Sequence, residues 1–164
     1  MSINFTQFHA GVVKPSLRSL APTIPYTAIA DILVSETIWH ESDRLQALGQ
    51  YPRGGVTEHG PFGPGLGVAS IEEPTWDWLK EKDRVRNRLG LHSYEELAWD
   101  LRLNVIACRL RYLVNPMPLP RLEDGVEARA TYWWRVYNGG RVDRRHDYIF
   151  NARAIPWDRS MGAT

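Results

Sequence analysis

The chain has very little cysteine: Cys108 is its only one in 164 residues, so no internal disulfide can form and packing alone must hold the fold. That thiol sits in an apolar helical run, where it is expected to pack as a small hydrophobe, and its isolation suits a reducing compartment. No stretch approaches the roughly 20 apolar residues of a membrane span. Nor does a charged segment followed by a short apolar run mark the N-terminus, so neither a span nor a signal peptide is expected. Charge of one sign is equally scarce. The 20 basic and 19 acidic residues leave a formal charge of +1, which excludes the bulk positive field that gathers nucleic acid. His9, His40, His59, His92 and His146 show no HExxH or other paired-ligand spacing, and no metal or other cofactor is expected. Gly60-Pro61-Phe62-Gly63-Pro64-Gly65 is not followed by Gly-Lys-Ser/Thr and is no phosphate loop. The chain has no internal repeat and no low-complexity tail.

What is present is apolar and aromatic. A hydrophobic content of 43% over this length suffices for one buried core and is too little for two ordinary domains, so residues 1–164 read as one domain with its core over about 5–153. Seven Trp and seven Tyr are many for the length. Such rings fill a core or line a groove where flat ligands such as sugars stack, and alternate members of the pairs Trp76/Trp78 and Trp133/Trp134 are expected inside.

Periodicity predicts a mainly α domain of five to seven helices. The first runs from Phe5 to about Leu20, with Pro15 imposing a break or a fresh first turn near residue 14. A central helix runs from Tyr26 to about Leu48 on the stripe Ile29, Ile32, Leu33, Thr37 and Leu45. From Gly49 to Gly67 seven glycines and three prolines forbid a long helix, and at this length a functional loop or short hairpin is the better assignment. Helix resumes near Thr75 with Trp76, Leu79 and Val85 inward. Ser93-Tyr94-Glu95-Glu96 reads as a capping box opening a long helix to about Val114, which the prolines after Asn115 stop. Glu123 to Tyr137 is a further helix stopped by Gly139-Gly140, and Tyr148 to Ala154 a last short one. Arginine clusters at Arg84, Arg86 and Arg88, at Arg102, Arg109 and Arg111, and at Arg141, Arg144 and Arg145. These read as solvated helix faces, with an anionic polymer or a protein partner as the alternative.

One residue breaks the pattern. Counting in fours from Glu41 gives Thr37, Leu33 and Ile29 backwards and Leu45 forwards, so an acid stands on the core-facing stripe near a helix end. Apolar surroundings and the negative end of the helix dipole both resist its ionisation, which is the profile of a general acid. The plainer reading is a solvated acid, or one paired to Arg44 three residues on. His40 beside it reads as a surface histidine.

Glu41-Ser42, then Gly65-Leu66-Gly67-Val68-Ala69-Ser70-Ile71-Glu72, then Tyr132-Trp133-Trp134-Arg135-Val136-Tyr137-Asn138 resemble, in that order, the lysozyme-like lytic transglycosylase superfamily, and more narrowly small phage-encoded proteins of that fold. Val12 to Arg18 and Gln50 resemble its early landmarks, so the resemblance covers about residues 5–153. Each piece alone is a weak motif; the combination on matching elements is moderately specific. The resemblance implies a lysozyme-like fold with Glu41 as catalytic acid, Ser42 supporting it or the sugar, and Tyr137 and Asn138 lining a sugar groove. Ser70 stands where the family's turn carries a cleft-shaping Gln.

The implied reaction is cleavage of the β-1,4 bond between N-acetylmuramic acid and N-acetylglucosamine, with Glu41 delivering the proton. A hydrolase needs a second carboxylate, for which Glu58, Glu72 and Glu73 are the candidates, though Glu72 and Glu73 also read as plain N-terminal acids of the helix near Thr75. A transglycosylase needs one acid only, because the muramic acid's own hydroxyl attacks, and the single-acid mechanism is the one expected. The expected partners are peptidoglycan strands and other phage tail or virion proteins, with no nucleic acid. The expected location is the virion, or the host cytoplasm before release to the periplasm. The alternatives are an inactive tail-hub or baseplate component that keeps the fold, and an enzyme directed at chitin or another glycan.

Overall fold

The computed structural model describes residues 4–47 and 64–157, and they form a mainly helical structure with one two-stranded sheet. Among the described residues no helix is long and apolar enough to cross a membrane. The glycine-rich stretch up to residue 63, with Gln50 and Glu58, lies outside the described residues.

Asn4 caps α1 (Phe5–Phe8), its side chain accepting from the Gln7 N–H, and the chain runs through a π-helical turn, His9–Val13, into α2 (Lys14–Ser19). Pro15 stands at the start of α2. The wide turn ahead of it takes up the ring and the missing donor, so the break expected near residue 14 is a change of pitch followed by a fresh helix. Thr27 caps the central helix α3 (Ala28–Glu41), accepting from the Ala30 N–H at 3.2 Å.

Further along come β1 (Gly65–Leu66) and β2 (Ile71–Glu72), antiparallel with Gly65 opposite Glu72 and Leu66 opposite Ile71. Next are α4 (Glu73–Lys80) and α5 (Arg86–Leu89), with Trp76, Leu79 and Val85 buried as predicted. The long helix expected from Ser93 is in fact divided. Ser93 N–H does bond Glu96 Oε1 at 3.0 Å, but that half-box opens only a 3₁₀ turn, Glu95–Ala98. Asp100 then caps α6 (Leu101–Leu113) by accepting from the amides of Arg102 and Leu103 at 2.8 and 2.9 Å, a stronger start signal than the one upstream. A 3₁₀ turn, Leu122–Asp124, leads into α7 (Gly125–Val136); Gly139 and Gly140, both at φ 67°, follow its end, and α8 (Arg145–Arg153) starts ahead of the predicted Tyr148.

The organising element is α3, though not as a stripe. Every residue from Leu33 to His40 is buried, so the helix is enclosed on all sides and carries its polar groups inside with it. Buried polar groups require partners. Asp31 receives His9 Nε2 at 2.7 Å and Tyr26 OH at 2.5 Å; burial pushes its pKa up, but these bonds outweigh it and hold the carboxyl below its ordinary range. Glu36, 2% exposed, is clasped by both Nε and an Nη of Arg129 from α7 at 2.8 Å and receives Tyr148 OH from α8 at 3.2 Å. Thr37 meets Tyr112 OH of α6 at 2.7 Å. The π-helical turn, α6, α7 and α8 are thus each keyed to α3 by a hydrogen bond as well as by apolar contact, which fixes its rotation and height. Cys108 is buried in α6 as expected, and burial pushes its thiol up to about 12.

Candidate functional site

The end of α3 is built by Ser42. Its hydroxyl donates to the Ile38 carbonyl at 2.6 Å and accepts from the Leu45 N–H at 2.9 Å, and the next residues, Asp43, Arg44 and Leu45, turn left-handed at φ 46°, 62° and 64°. Helix therefore stops at Glu41 rather than near Leu48, and Ser42 itself is buried with its hydroxyl committed to the backbone. Among the described residues, the non-glycine positions with positive φ are these three and Ser70, whose φ is 47°. Such residues cost about 1 kcal/mol or more each, and all of them flank Glu41.

Opposite lies the turn joining β1 to β2. Gly67, at φ 69°, is mandatory there, because a Cβ would fall 1.9 Å from Asn104 Oδ1. Asn104 of α6 supports the turn from below: its Oδ1 accepts the Ala69 N–H at 3.3 Å while its amide donates to Leu97 and Asp100 carbonyls at 2.6 and 2.9 Å. Ser70 Oγ then donates to the Glu41 backbone carbonyl at 3.2 Å, tying hairpin to helix end. Tyr137, buried just past α7, donates its OH to the Ala69 carbonyl at 2.5 Å, and Arg111 of α6 lies over its ring at 4.2 Å and donates to its carbonyl.

These contacts surround a pocket of about 90 Å³ onto which Glu41, Ser70, Glu72, Arg111, Tyr137 and Asn138 face. Glu41 is half-buried. Its Oε1 accepts the indole N–H of Trp133 at 3.1 Å, and no hydrogen bond from a described residue reaches Oε2. Burial raises its pKa from the ordinary 4.5 to about 7; the Trp133 hydrogen bond and the charges of Arg111 and Arg144 oppose the rise, and Glu72 adds to it. Arg44 does not cap it. That guanidinium turns to Asn151 Oδ1 at 3.3 Å and to the Phe150 ring. A half-buried carboxyl that keeps a substantial protonated fraction at neutral pH, on a pocket and with one oxygen unbonded among the described residues, can deliver a proton.

The predicted site residues thus divide. Glu41, Ser70, Glu72, Tyr137 and Asn138 come together on one pocket, whereas Ser42 lies behind it. The Ser70 hydroxyl and the Tyr137 OH are occupied by backbone carbonyls, and the Asn138 amide donates to the Val142 carbonyl at 3.2 Å. Glu72 sits at the N-cap of α4, as its plainer reading had it, with Arg141 at 3.8 Å, while Glu73 faces away toward Trp76 and Lys80. Glu58 lies outside the described residues.

His40 is not the surface residue expected. It is 8% exposed, stands edge-on to Trp133 at 4.8 Å between ring centroids, and takes the Asn151 amide on Nδ1 at 2.9 Å; burial, helped by Arg144, lowers its pKa to about 4, so it is neutral and braces the tryptophan that bonds Glu41. Trp133 and Trp76 go inside while Trp78 and Trp134 keep exposed surface, the alternation predicted. Arg109 and Arg111, read as part of a solvated face, are buried and half-buried. Arg111 and Arg141 are charged residues of the pocket that periodicity missed, and no local pattern marks Arg111, since its place depends on Tyr137 beyond α7. Among the described residues no three His, Cys, Asp or Glu side chains converge as metal ligands.

No protein-family model matches the chain, and neither a curated protein nor a solved structure is similar to it.

Proposed function

We propose that this protein is a phage peptidoglycan-degrading glycosidase of the lysozyme-like class that uses Glu41 as its acid and base, serving genome entry or lysis. The observation that carries the reading is the carboxyl of Glu41, which lines a pocket with its pKa raised to about 7 and has no hydrogen bond to Oε2 among the described residues. Its place at a helix end, facing a short hairpin, agrees with what the resemblance implies. In the reaction, Glu41 gives its proton to the glycosidic oxygen as the C1–O bond breaks, leaving an oxocarbenium-like sugar. The ionised Glu41 then takes the proton of the muramic acid's 6-hydroxyl as that oxygen closes on C1, which restores the acid and releases a 1,6-anhydro product. Trp133 holds Oε1 and leaves Oε2 for the proton. A hydrolytic variant of the scheme would assign water activation to Glu72, the second carboxylate on the pocket.

A second reading is a virion component, in a tail hub or baseplate, that retains the fold without activity. Two observations favour it. The chamber at Glu41 holds about 90 Å³, below the ~300–1,000 Å³ usual for small-molecule sites, and Ser70 is spent on the backbone rather than offered to a ligand.

One experiment separates the readings: incubation of the protein with peptidoglycan and mass spectrometry of released muropeptides, with Glu41→Gln alongside. Anhydro products absent from the variant support the single-acid scheme; reducing-end products support hydrolysis with Glu72. Folded wild-type protein that releases nothing refutes the enzymatic reading and favours the second.

A further inference from the structure

The pocket at Glu41 adjoins a larger groove of about 460 Å³, Glu72, Thr75, Arg111 and Arg141 lining both; beyond these the groove reaches Trp78 and Asn115. Arg111 stands at the junction. Among the described residues its guanidinium is engaged by a ring face and a backbone carbonyl, those of Tyr137, and by no carboxylate. Of its five N–H donors most have no partner among the described residues, and the stacking fixes the plane of the fork. A pre-oriented, half-buried arginine with no ion pair to a described residue is matched to a carboxylate, which it can take through two parallel hydrogen bonds. Arg141 adds a second positive charge on the same wall, held only loosely by Glu72 at 3.8 Å with both side chains substantially exposed. Trp78, 38% exposed, offers the apolar floor, with Lys82 over its ring at 4.9 Å adding positive charge nearby.

We infer that Arg111, assisted by Arg141, forms a subsite for a carboxylate borne on a substituent of the glycan, so that the protein selects acidic, peptide-substituted strands over neutral ones. The inference rests on the glycosidase reading. It assigns the 90 Å³ chamber to the bond being cleaved and the adjoining groove to the branch hanging from the sugar. A neutral glycan such as chitin leaves Arg111 without its anion; a stem peptide with free carboxyl groups supplies one. Because Arg111 also lies close enough to lower the pKa of Glu41, an anion bound there offsets that charge and favours the protonated acid when acidic substrate is in place.

The test uses Glu41→Gln protein, which binds without cleaving, titrated calorimetrically with peptidoglycan oligomers whose stem carboxylates are free and with the same oligomers after amidation. The free acids are expected to bind about tenfold tighter, the worth of one charge-assisted pair, and the preference to shrink as salt is raised. Adding Arg111→Gln should abolish the preference, and Arg111→Lys should restore part of it. Should Arg111→Gln fail to fold, the exposed Arg141→Gln stands in and should reduce the preference. Equal affinity for the two oligomers overturns the subsite. Wild-type activity on peptidoglycan, measured separately, tells whether the glycosidase reading survives that result. If the protein cleaves, a loss confined to KM in the Arg141 variant supports a binding role, and an unchanged KM overturns it.

Discussion

Replacing Glu41 by Gln should make this protein more stable above about pH 4.5, with the gain growing until about pH 7. Gln keeps the carbonyl that accepts the Trp133 N–H but never ionises. In the unfolded chain the acid titrates near its ordinary 4.5, whereas in the folded protein burial holds it at about 7. A raised carboxyl pKa means that below 4.5 the acid is protonated in both states and carries no penalty. As the pH climbs from 4.5 through 7 the unfolded chain sheds its proton first, and stability is lost across that window. At about 1.4 kcal/mol per factor of ten in the ionisation constant, the full penalty is on the order of 3 kcal/mol. The stability difference between Glu41→Gln and wild type should therefore be smallest near pH 4 and grow by roughly 3 kcal/mol by pH 8. Urea denaturation of both proteins across this range reads it directly, and titrations common to both cancel in the difference. A difference that stays flat from pH 4 to pH 8 would falsify the buried, proton-holding acid and, with it, the proposed chemistry. If the protein cleaves peptidoglycan, the rate should likewise fall as pH rises through about 7, where Glu41 loses its proton.

Other perturbations follow from the same geometry. Ser70→Ala removes the bond to the Glu41 carbonyl while keeping the left-handed φ of 47°; Ser70→Gly also loses the bond but relaxes the backbone, so the glycine variant should be about 1 kcal/mol the more stable of the two in denaturation. Gly67→Ala drives a Cβ onto Asn104 at a φ of 69° and should cost roughly 2 kcal/mol or more, a fall of several degrees in Tm by calorimetry. Glu36→Ala leaves the half-buried Arg129 without its partner and should destabilise by about 3 kcal/mol; a loss under about 1 kcal/mol would mean that water reaches the pair.

The candidate acid was legible because it violated a pattern: an apolar stripe running through Leu33 and Thr37 arrives at a carboxylate. The other buried polar residues of the same helix were not. Asp31 and Ser35 stand off the apolar stripe and Glu36 and His40 fall on its edge, four and eight residues past Ile32; all four are interior because other segments pack around the whole helix. Arg129, which clasps Glu36, lies 93 positions away. The end of α3 was equally hidden, since Ser42 becomes a stop only through its bonds to Ile38 and Leu45. At Ser93 and Asp100 two start signals compete within one helical stretch. The capping box is the better known pattern, yet the aspartate that accepts two amides begins the long helix. Arg111 shows the same limit at the site. Its helix position is readable, but its orientation depends on the Tyr137 ring.

Two unfavourable features meet at one point of the molecule. The acid carries an ionisation penalty of about 3 kcal/mol near neutral pH, and the left-handed residues beside it add about 1 kcal/mol each. Neither helps the fold. A chain free to relax could extend α3 through residues 43–45 and give up the carboxyl to solvent. It is held instead by the tie from Ser70, by the Ser42 bonds, by Trp133 braced on His40, and by the polar keys at Asp31, Glu36 and Thr37 that fix the height of α3. Those same keys explain why the helix is enclosed on all sides. A helix that only packed could slide by a fraction of a turn, whereas one keyed on several neighbours sets the position of its last residue to within a bond length. Strain and a costly half-buried acid, concentrated where the backbone is firmly tied, are what the proposed role of Glu41 requires at the end of α3.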